Sequence, residues 1–494
     1  MKEKLKKFRE IVKQKKKIDS TLALIQWDME TVVPKGGQKL ISEIIGELSL
    51  KSYELSTSKE LIDLLENLNK NKNSLTELER IEVEYLREEN QKLKNIPSEE
   101  YQEFSELTVR AQGIWVEARE KNDFSMFKET LEKIFEYSKK FAKYRGGEEQ
   151  GYNIALDDYE KGMTTEKLDD FFLNLKTELV PLLKKIQSKK IDFSIENNVS
   201  KENQKTLSKY IAEYIGFDFE RGVLAESAHP FTLTVSTDDV RLTSRYFENL
   251  PFSSIFSTMH EGGHGIYEQG IGSELKDTIL AEGTSTSIHE SQSRFYENMI
   301  GRSKEFWIGI CPEASKYYEF IKKENIDELY KSINVVTPSF IRVEADELTY
   351  SLHIMVRYEI EKGLFNGEYA VENLPEIWNE KIKEYLGIEP TNDSEGVLQD
   401  VHWSCGLIGY FPSYALGNAY SAQIYMAMKK DLNIEKLLLN GEINKITEWL
   451  HNKIHKYGKS KTSQELIKEV SGEELNIKYY IEYLKEKYSK IYQL

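Results

Sequence analysis

Residues 255–266 read Ile-Phe-Ser-Thr-Met-His-Glu-Gly-Gly-His-Gly-Ile, and they contain the strongest chemical pattern in the chain. One apolar stripe at helical spacing runs along this stretch: Ile255, Phe256, Met259 and Ile266. That spacing predicts an amphipathic helix. Positions i and i+4 of a helix share a face, so His260 and His264 can reach one metal ion. Glu261, rotated by about 100°, can then reach a water bound to that ion.

An H-E-x-x-H helix suits one particular chemistry. Zinc lowers the pKa of a bound water from about 15.7 toward 7 and polarises a carbonyl, while a nearby carboxylate removes the proton of the water. The pattern is expected by chance only about 0.01 times in a chain of this composition. It predicts one catalytic zinc ion per chain, with Co²⁺ or Mn²⁺ as substitutes because ligand type constrains the metal loosely. Gly262 and Gly263 each cost about 1 kcal/mol in a helix. We therefore expect packing to hold that helix and its backbone to lie close to the occupant of the site.

A second pair of histidines, His451 and His455, has the same spacing. Asn452 follows the first of them, so the pair has no carboxylate base, and Lys453 and Lys456 lie beside it. We interpret this pair as part of the surface or the fold.

The third protein ligand must come from another element, because residues 260, 264 and 268 span about 12 Å of helix axis and cannot converge on one ion. Residues 281–300 are predicted to form a helix that contains His289 and Glu290. Small residues precede Glu290 at helical spacing and would let two helices approach closely. Spacing alone leaves the choice between His289 and Glu290 open.

The rest of the chain is predicted to be mainly α, since apolar residues recur at intervals of three and four. Three Ser/Thr-x-x-Glu pairs, at 74–77, 462–465 and 471–474, predict helix starts through capping boxes. Residues 231–235 and 240–242 instead alternate between apolar and polar, which predicts a β-hairpin just before the H-E-x-x-H helix.

Composition excludes several classes of protein. The chain has 494 residues and a net charge of −16, so nucleic acid is not an expected partner. It contains no apolar run of about 18 residues and no apolar leader segment, and we expect no membrane association. With only Cys311 and Cys405, a disulfide framework is not expected, and a cytoplasmic location is predicted.

Other polar residues are weaker candidates taken singly. Arg241 follows the hairpin turn and has an ordinary alternative as the partner of Asp238 or Asp239. Arg342 has Asp346 at i+4 and can equally form a surface pair. Further candidates have a turn or a packing role as their alternative: His229-Pro230-Phe231, Gln399-Asp400-x-His402-Trp403, Tyr410 and Tyr414. Together they offer an electrophile for an oxyanion and a guanidinium for a carboxylate.

Several separated segments, taken in order, resemble the thermostable (Taq-type) zinc carboxypeptidases over nearly the whole chain. The matching segments are His229-Pro-Phe231, Asp239-Val-Arg241-Leu-Thr243, His260-Glu261-Gly-Gly-His264, His289-Glu290-Ser291-Gln292, Ile341-Arg342-Val-Glu-Ala345-Asp346 and Gly396-Val-Leu-Gln399-Asp400-Val-His402-Trp403. Weaker matches occur at Trp27-Asp28-Met-Glu-Thr31, Pro34-x-Gly36 and Asp157-Asp158-Tyr159-Glu160-x-Gly162-Met163-Thr164. The chain departs from the pattern at Val33, where the family often has methionine, and after Gly37.

The resemblance implies a large, mainly helical zinc peptidase with a deep groove, a small β-sheet beside the H-E-x-x-H helix, and a homodimer. It selects Glu290 as the third ligand beside His260 and His264. By analogy with related helical zinc peptidases, His402 and Tyr410 would stabilise the oxyanion, with Tyr414 as an alternative.

The resemblance also implies how the substrate is held. Arg342, or Arg241, would bind the terminal carboxylate of the substrate, since a guanidinium fork fits a carboxylate. His229 and Tyr414 are further candidate substrate contacts.

These observations predict a metallocarboxypeptidase that removes single residues from peptides with a free C-terminus, with Glu261 as general base. One rival is a zinc oligopeptidase that cleaves internal bonds. Another is a helical binding scaffold with a structural metal, but such a site would have no need of Glu261. We expect a single catalytic unit over 1–494, with a helical part at 1–225, the hairpin and zinc-binding helices at 226–300, and a helical part with substrate-binding residues at 301–494.

Overall fold

The computed structural model describes residues 1–146, 151–189 and 197–494, and most of them are helical. The α-helices of the described residues are, in chain order, α1 (Lys2–Thr31), α2 (Gln38–Thr57), α3 (Lys59–Lys70), α4 (Glu77–Leu93), α5 (Ser98–Lys121), α6 (Ser125–Tyr144), α7 (Gly151–Asp157), α8 (Thr165–Gln187), α9 (Lys201–Ile215), α10 (Pro251–Gln269), α11 (Thr286–Arg294), α12 (Lys304–Ala314), α13 (Ile326–Ser332), α14 (Glu347–Asn366), α15 (Leu374–Leu386), α16 (Pro412–Asp431), α17 (Ile434–Leu439), α18 (Asn444–Lys453), α19 (Ser463–Ser471) and α20 (Lys478–Tyr492). None of the described helices combines the length and the apolar character needed to cross a lipid bilayer.

The chain divides into two compact units, and each is built from three separate segments. Unit 1 comprises 1–94, 195–333 and 424–474. Unit 2 comprises 95–194, 334–423 and 475–494. These boundaries follow contacts between distant parts of the chain. The prediction of one catalytic unit concerns function and stays a prediction.

Unit 1 contains a three-stranded sheet of order β1-β3-β2, formed by β1 (Gly222–Glu226), β2 (Thr232–Ser236) and β3 (Asp239–Ser244). Strands β2 and β3 pair antiparallel, with a register shift between Thr234 and Ser236, and they are the predicted hairpin. Strand β1 pairs parallel to β3 and was not predicted. The sheet packs on α10 through β3 and β2, so the small sheet lies beside the H-E-x-x-H helix as expected.

The helix starts agree only partly with the capping pairs. Thr462 and Glu465 form the predicted capping box of α19. At α4 the box is formed by Thr76 and Glu79, two residues later than predicted. Residues 471–474 lie at the end of α19, so the third prediction is wrong. At α4 both Ser74 and Thr76 have a glutamate three residues on, so the spacing alone does not distinguish the true start from its neighbour.

An apolar core in unit 1 connects the N-terminal helices to the segment that precedes α11. Its buried members are Phe8, Val12, Leu61, Leu65, Leu68, Val83, Leu86, Ile271, Leu275, Ile279, Leu280 and Ala281. Glu82 is fully buried beside this core, accepts the backbone N–H of Ile279 at 3.1 Å and pairs with Arg9. Burial of this surface holds residues 271–281 in place, and α11 starts five residues further on.

Candidate metal centre

Two helices of unit 1 bring three potential metal ligands together. Helix α10 carries His260 and His264, and strands β2 and β3 and helix α11 pack against it. Helix α11 carries Glu290. One ligand atom from each residue lies within 4.8 Å of the others. The i and i+4 spacing therefore places both imidazoles on one face of α10, as the sequence predicted.

The donor atoms have the spacing of ligands around one tetrahedral ion. Oε2 of Glu290 lies 3.6 Å from Nε2 of His260 and 3.6 Å from Nε2 of His264. Three ligands at about 2.1 Å from a tetrahedral zinc would be about 3.4 Å apart. The two-nitrogen, one-carboxylate set is also the donor set of many catalytic zinc sites. The residues present therefore fit a divalent metal.

A close approach of the two helices depends on Gly263. A Cβ atom added there would lie 2.5 Å from the carbonyl oxygen of Gln292 and 2.7 Å from Cα of Ser293. At Gly262 the nearest atom would be Cδ1 of Ile215, at 2.8 Å. Both glycines therefore make room for neighbouring parts of the protein, and the expectation that they also bring the backbone close to the occupant of the site stays a prediction. Gly263 lets α11 come near enough for Glu290 to meet the histidines.

Replacing Gly263 by alanine is expected to destabilise unit 1 by about 1 to 3 kcal/mol, because the methyl group meets backbone that cannot rotate away. It should also weaken metal binding by moving α11. The matched control is Gly46→Ala in α2, where an added Cβ has nothing within 4 Å and should stabilise the helix by up to about 1 kcal/mol. Thermal unfolding and metal content of both variants test this. Equal stability of the two proteins would contradict it.

The predicted helix at 281–300 differs in its limits and its form. Helix α11 begins at Thr286, where the hydroxyl of Ser285 accepts the backbone N–H of Ile288 at 3.1 Å. After Arg294 it continues as a π-helical turn over Phe295–Ile300. Such turns occur often at functional sites because they re-aim side chains.

The π-helical turn carries Glu297, a residue to which the sequence assigned no role. Its Oε2 lies 2.9 Å from Nδ1 of His260 and accepts Nη1 of Arg294 at 3.0 Å. A carboxylate bonded to the second nitrogen of a histidine ligand fixes the orientation of its ring. Burial opposes the charged form of Glu297, but Arg294 and His260 lower its pKa to about 2.

The electrostatics of the three potential ligands favour a cation. Burial disfavours the ionised form of Glu290, but Arg294 and His260 hold its pKa well below the usual range. Nε of Arg294 donates to Oε1 of Glu290 at 2.6 Å, which leaves Oε2 on the histidine side. Burial lowers the pKa of His264 to about 3, so this imidazole is neutral. Burial lowers the pKa of His260, but Glu290 and Glu297 raise it above its usual value, so protons compete with a metal for this ring more strongly than for an isolated histidine.

Glu261 lies next to the three potential ligands and is nearly buried. The hydroxyl of Thr232 in β2 donates to its Oε2 at 2.6 Å and thereby orients the carboxylate. Burial raises the pKa of Glu261 above the ordinary value for a glutamate. A carboxylate with a raised pKa is a stronger base, which suits a group that accepts a proton from water. The hairpin therefore contributes directly to the site through Thr232.

His289, the alternative third ligand, points to the far side of His264. Nδ1 of His289 lies 2.6 Å from Nδ1 of His264, and its Nε2 lies 2.8 Å from Oε1 of Glu268. It is thus bonded to the ring nitrogen of His264 that faces away from Glu290. The structure groups Glu290, and not His289, with the two histidines of α10.

The remaining predicted site residues fall into both units. His229 and Arg241 belong to unit 1. His229 is exposed and lines a cavity of about 700 Å³ with Pro230 and Thr232. Arg241 forms a two-point ion pair with Asp239, at 2.8 Å for each contact. These contacts are the pairing with a neighbouring aspartate that the sequence offered as the alternative to substrate binding.

Unit 2 brings His402, Tyr410 and Tyr414 together. Nε2 of His402 lies 3.2 Å from the hydroxyl of Tyr414, and the ring centroids of His402 and Tyr410 are 5.4 Å apart. Burial lowers the pKa of His402 to about 4, despite the charge of Asp400 nearby, so the imidazole is neutral. The predicted oxyanion residues therefore form one cluster in unit 2.

Arg342 belongs to the same cluster, but its partner is not Asp346. Its Nε and Nη2 donate to Oδ1 of Asp400 at 3.0 and 2.9 Å, and its Nη1 donates to the hydroxyl of Tyr350 at 2.9 Å. Asp346 instead caps the start of α14. Arg357, which the sequence did not single out, donates to Oδ2 of Asp400 at 2.6 Å.

Two guanidinium groups thus share one carboxylate inside unit 2. Arg342 is 5% exposed and Arg357 is fully buried. Burial raises the pKa of Asp400, but the two arginines hold it far below its usual value. The hydrogen-bonded group of two cations and one anion keeps one net positive charge, which an additional carboxylate would neutralise.

The fold and the metal centre define the class of protein. A mainly helical chain in which an H-E-x-x-H helix and a carboxylate from a second helix converge has the donor set of a metallopeptidase. A family model described as carboxypeptidase Taq (M32) metallopeptidase matches residues 7–488. The chain belongs to this family, as the sequence motifs had predicted, and is a metallocarboxypeptidase by that membership.

Individual relatives agree over nearly the full length. The chain is 44% identical to carboxypeptidase 1 of Bacillus subtilis, and the match covers 99% of each chain. It is 39% identical to thermostable carboxypeptidase 1 of Pyrococcus furiosus over 94% of each chain. Among solved structures, metallocarboxypeptidase 1 of Trypanosoma cruzi is similar with a TM-score of 0.95 and 33% identity, and the match covers 99% of this chain and 100% of the other.

Proposed function

We propose that the enzyme releases single amino acids from the C-termini of peptides, with one zinc ion held by His260, His264 and Glu290. The observation that carries this proposal is the convergence of these three side chains beside Glu261. The names of the relatives support the carboxypeptidase activity. Zinc is favoured by the donor set, and Co²⁺ or Mn²⁺ can replace it in such a set.

A bound divalent metal would act as a Lewis acid that acidifies water and polarises the peptide carbonyl. The protein's own groups supply the remaining chemistry. Glu261, oriented by Thr232, accepts the proton of the attacking water and passes it to the leaving amine. Glu297 and Arg294 hold His260 and Glu290 in position throughout the reaction.

For the residues of unit 2 we propose two further roles. His402 and Tyr410 donate hydrogen bonds to the oxyanion that develops on the carbonyl. Arg342 binds the terminal carboxylate of the substrate. The net positive charge of the Arg342, Arg357 and Asp400 group supports this role, because the described contacts use three of the five N–H groups of Arg342.

The test compares a peptide with a free C-terminus and its amidated twin. A neutral amide leaves the arginine charge poorly matched, so we expect kcat/KM for the twin to be lower by about 10² to 10³. Mass spectrometry should show a ladder of single-residue losses from the free peptide. Arg342→Ala should remove most of the discrimination, whereas Arg241→Ala, whose guanidinium is paired with Asp239, should retain it.

The two alternatives give different results in the same assay. Internal cleavage of both peptides at equal rates would support an oligopeptidase. A ladder whose discrimination is lost in Arg241→Ala and kept in Arg342→Ala would move the carboxylate contact to Arg241.

We also propose that the enzyme is a cytoplasmic homodimer that has no nucleic-acid or membrane partner. The two cysteines and the net charge of −16 support the location and the absence of a nucleic-acid partner, and the family resemblance supports the dimer. Sedimentation of the purified chain would test the dimer, and a mass of 57.6 kDa would contradict it.

A further inference from the structure

We propose that His289 and Glu268 form a positioning pair for His264, which fixes the tautomer and the ring orientation of this histidine for metal binding. This inference rests on the metal site of the proposed function. His289 and Glu268 do not touch the metal position and act only through His264. Their role is distinct from that of Glu297, which contacts His260.

The three side chains form one continuous line of hydrogen bonds. His264 directs Nε2 to Glu290, at 3.6 Å, and Nδ1 to Nδ1 of His289, at 2.6 Å. His289 directs its Nε2 to Oε1 of Glu268, at 2.8 Å. The backbone N–H of Gly283 donates to the same Oε1 at 2.8 Å. The line therefore ends on an acceptor that the backbone holds in place.

The acceptor at the end of this chain of hydrogen bonds determines which atom donates at each contact. Oε1 of Glu268 already accepts the backbone N–H of Gly283, so this oxygen acts as an acceptor and Nε2 of His289 donates to it. At the 2.6 Å contact between the two Nδ1 atoms one nitrogen must donate and the other accept, and with Nε2 of His289 as the donor to Glu268 its Nδ1 is the acceptor for Nδ1 of His264. His264 then carries its proton on Nδ1 and its lone pair on Nε2. The lone pair lies on the side of Glu290, which is the arrangement a metal ligand requires.

Packing also holds the two side chains in place. Glu268 is 3% exposed and lies one turn beyond His264 on α10. The ring of His289 packs on Tyr267, with centroids 5.1 Å apart. Gly283 leaves room for this ring, since a Cβ there would lie 2.6 Å from Cδ2 of His289.

The two histidine ligands are thus supported differently. His260 bonds directly to a carboxylate, whereas His264 bonds to an imidazole that in turn bonds to a carboxylate. A direct carboxylate raises the basicity of a ligand more than a neutral imidazole does. Loss of the imidazole would leave the Nδ1–H of His264 without this acceptor in a part-buried site, and the other tautomer would compete.

The experiment measures the metal dissociation constant of the full chain by competition with a chelator, using Co²⁺ and Zn²⁺. His289→Phe, which keeps a ring but removes the acceptor, should bind both metals about 10 to 100 times more weakly. His289→Asn, whose carbonyl oxygen can take the place of Nδ1, should recover most of this loss. Glu268→Gln should fall between the wild type and His289→Phe. The visible absorption bands of the cobalt protein should shift in His289→Phe.

His455→Phe is the matched control. His455 is fully buried, packs on the same Tyr267 at 5.2 Å and bonds Gln292 without contacting a potential ligand. It should leave the dissociation constant within about threefold of the wild type. If His455→Phe weakened metal binding as much as His289→Phe does, altered packing around Tyr267 would explain both losses, and the proposal would be overturned. Unchanged affinity and spectrum in His289→Phe would also overturn it. A wild-type chain that binds no metal would overturn the metal site itself, and the positioning pair with it.

Discussion

Glu261→Gln is expected to keep one metal ion per chain and to lower kcat/KM by roughly 10² to 10⁴. Glutamine has the size of glutamate and retains an oxygen that can accept from Thr232, whose hydroxyl lies 2.6 Å from Oε2 of Glu261. It cannot accept the proton of the attacking water. The loss should therefore fall on kcat while metal content stays at the wild-type value.

The measurement combines elemental analysis with hydrolysis of one defined peptide. Glu274→Gln is the control, because this glutamate is exposed in the turn that follows α10. It should match the wild type in both readouts. A Glu261→Gln enzyme with near-normal turnover would remove Glu261 as the base and leave the metal assignment standing.

Glu290→Ala should release the metal or weaken its binding by several orders of magnitude. One of three protein ligands is lost, and the two neutral imidazoles that remain do not balance the charge of a divalent ion. Glu290→Gln should weaken binding similarly while preserving the shape of the helix, which separates loss of a ligand from misfolding. Circular dichroism of both variants gives the check on folding.

His289→Ala is the matching variant on the neighbouring residue. It should still bind one ion per chain at saturating metal, with the reduced affinity expected of a positioning residue. The decisive quantity is the stoichiometry at saturation. If Glu290→Ala kept one ion and His289→Ala kept none, the ligand set would consist of three histidines.

The sequence motifs identified the family, and they named the two histidines and the glutamate that converge in the structure. Periodicity placed His260 and His264 on one face of a helix, because an i, i+4 relation depends only on local geometry. Alternation predicted β2 and β3 for the same reason. The full-length agreement with related carboxypeptidases confirms the resemblance.

Other features depended on contacts that local patterns do not encode. Strand β1 is short and pairs parallel to β3. Residues Gly222–Glu226 show no alternation of apolar and polar residues that would predict this strand. The sequence offered Asp346, four residues away, as a partner for Arg342, but Arg342 pairs with Asp400, 58 residues away. A local partner is visible in the sequence, and the distant one becomes visible only when the chain is folded.

The sequence by itself determined the residues of the site and the family: a helix with two histidines and a glutamate, a second helix with a carboxylate, and membership of the metallocarboxypeptidases. Spacing left the choice between His289 and Glu290 open and the family resemblance favoured Glu290, but only the tertiary structure shows which side chain of α11 faces the histidines. Gly263 lets α11 approach so that Glu290 meets them, while His289 bonds to the opposite nitrogen of His264. The physical reason is that spacing along one helix sets which residues share a face, but the rotation and distance of a second helix follow from the packing between them.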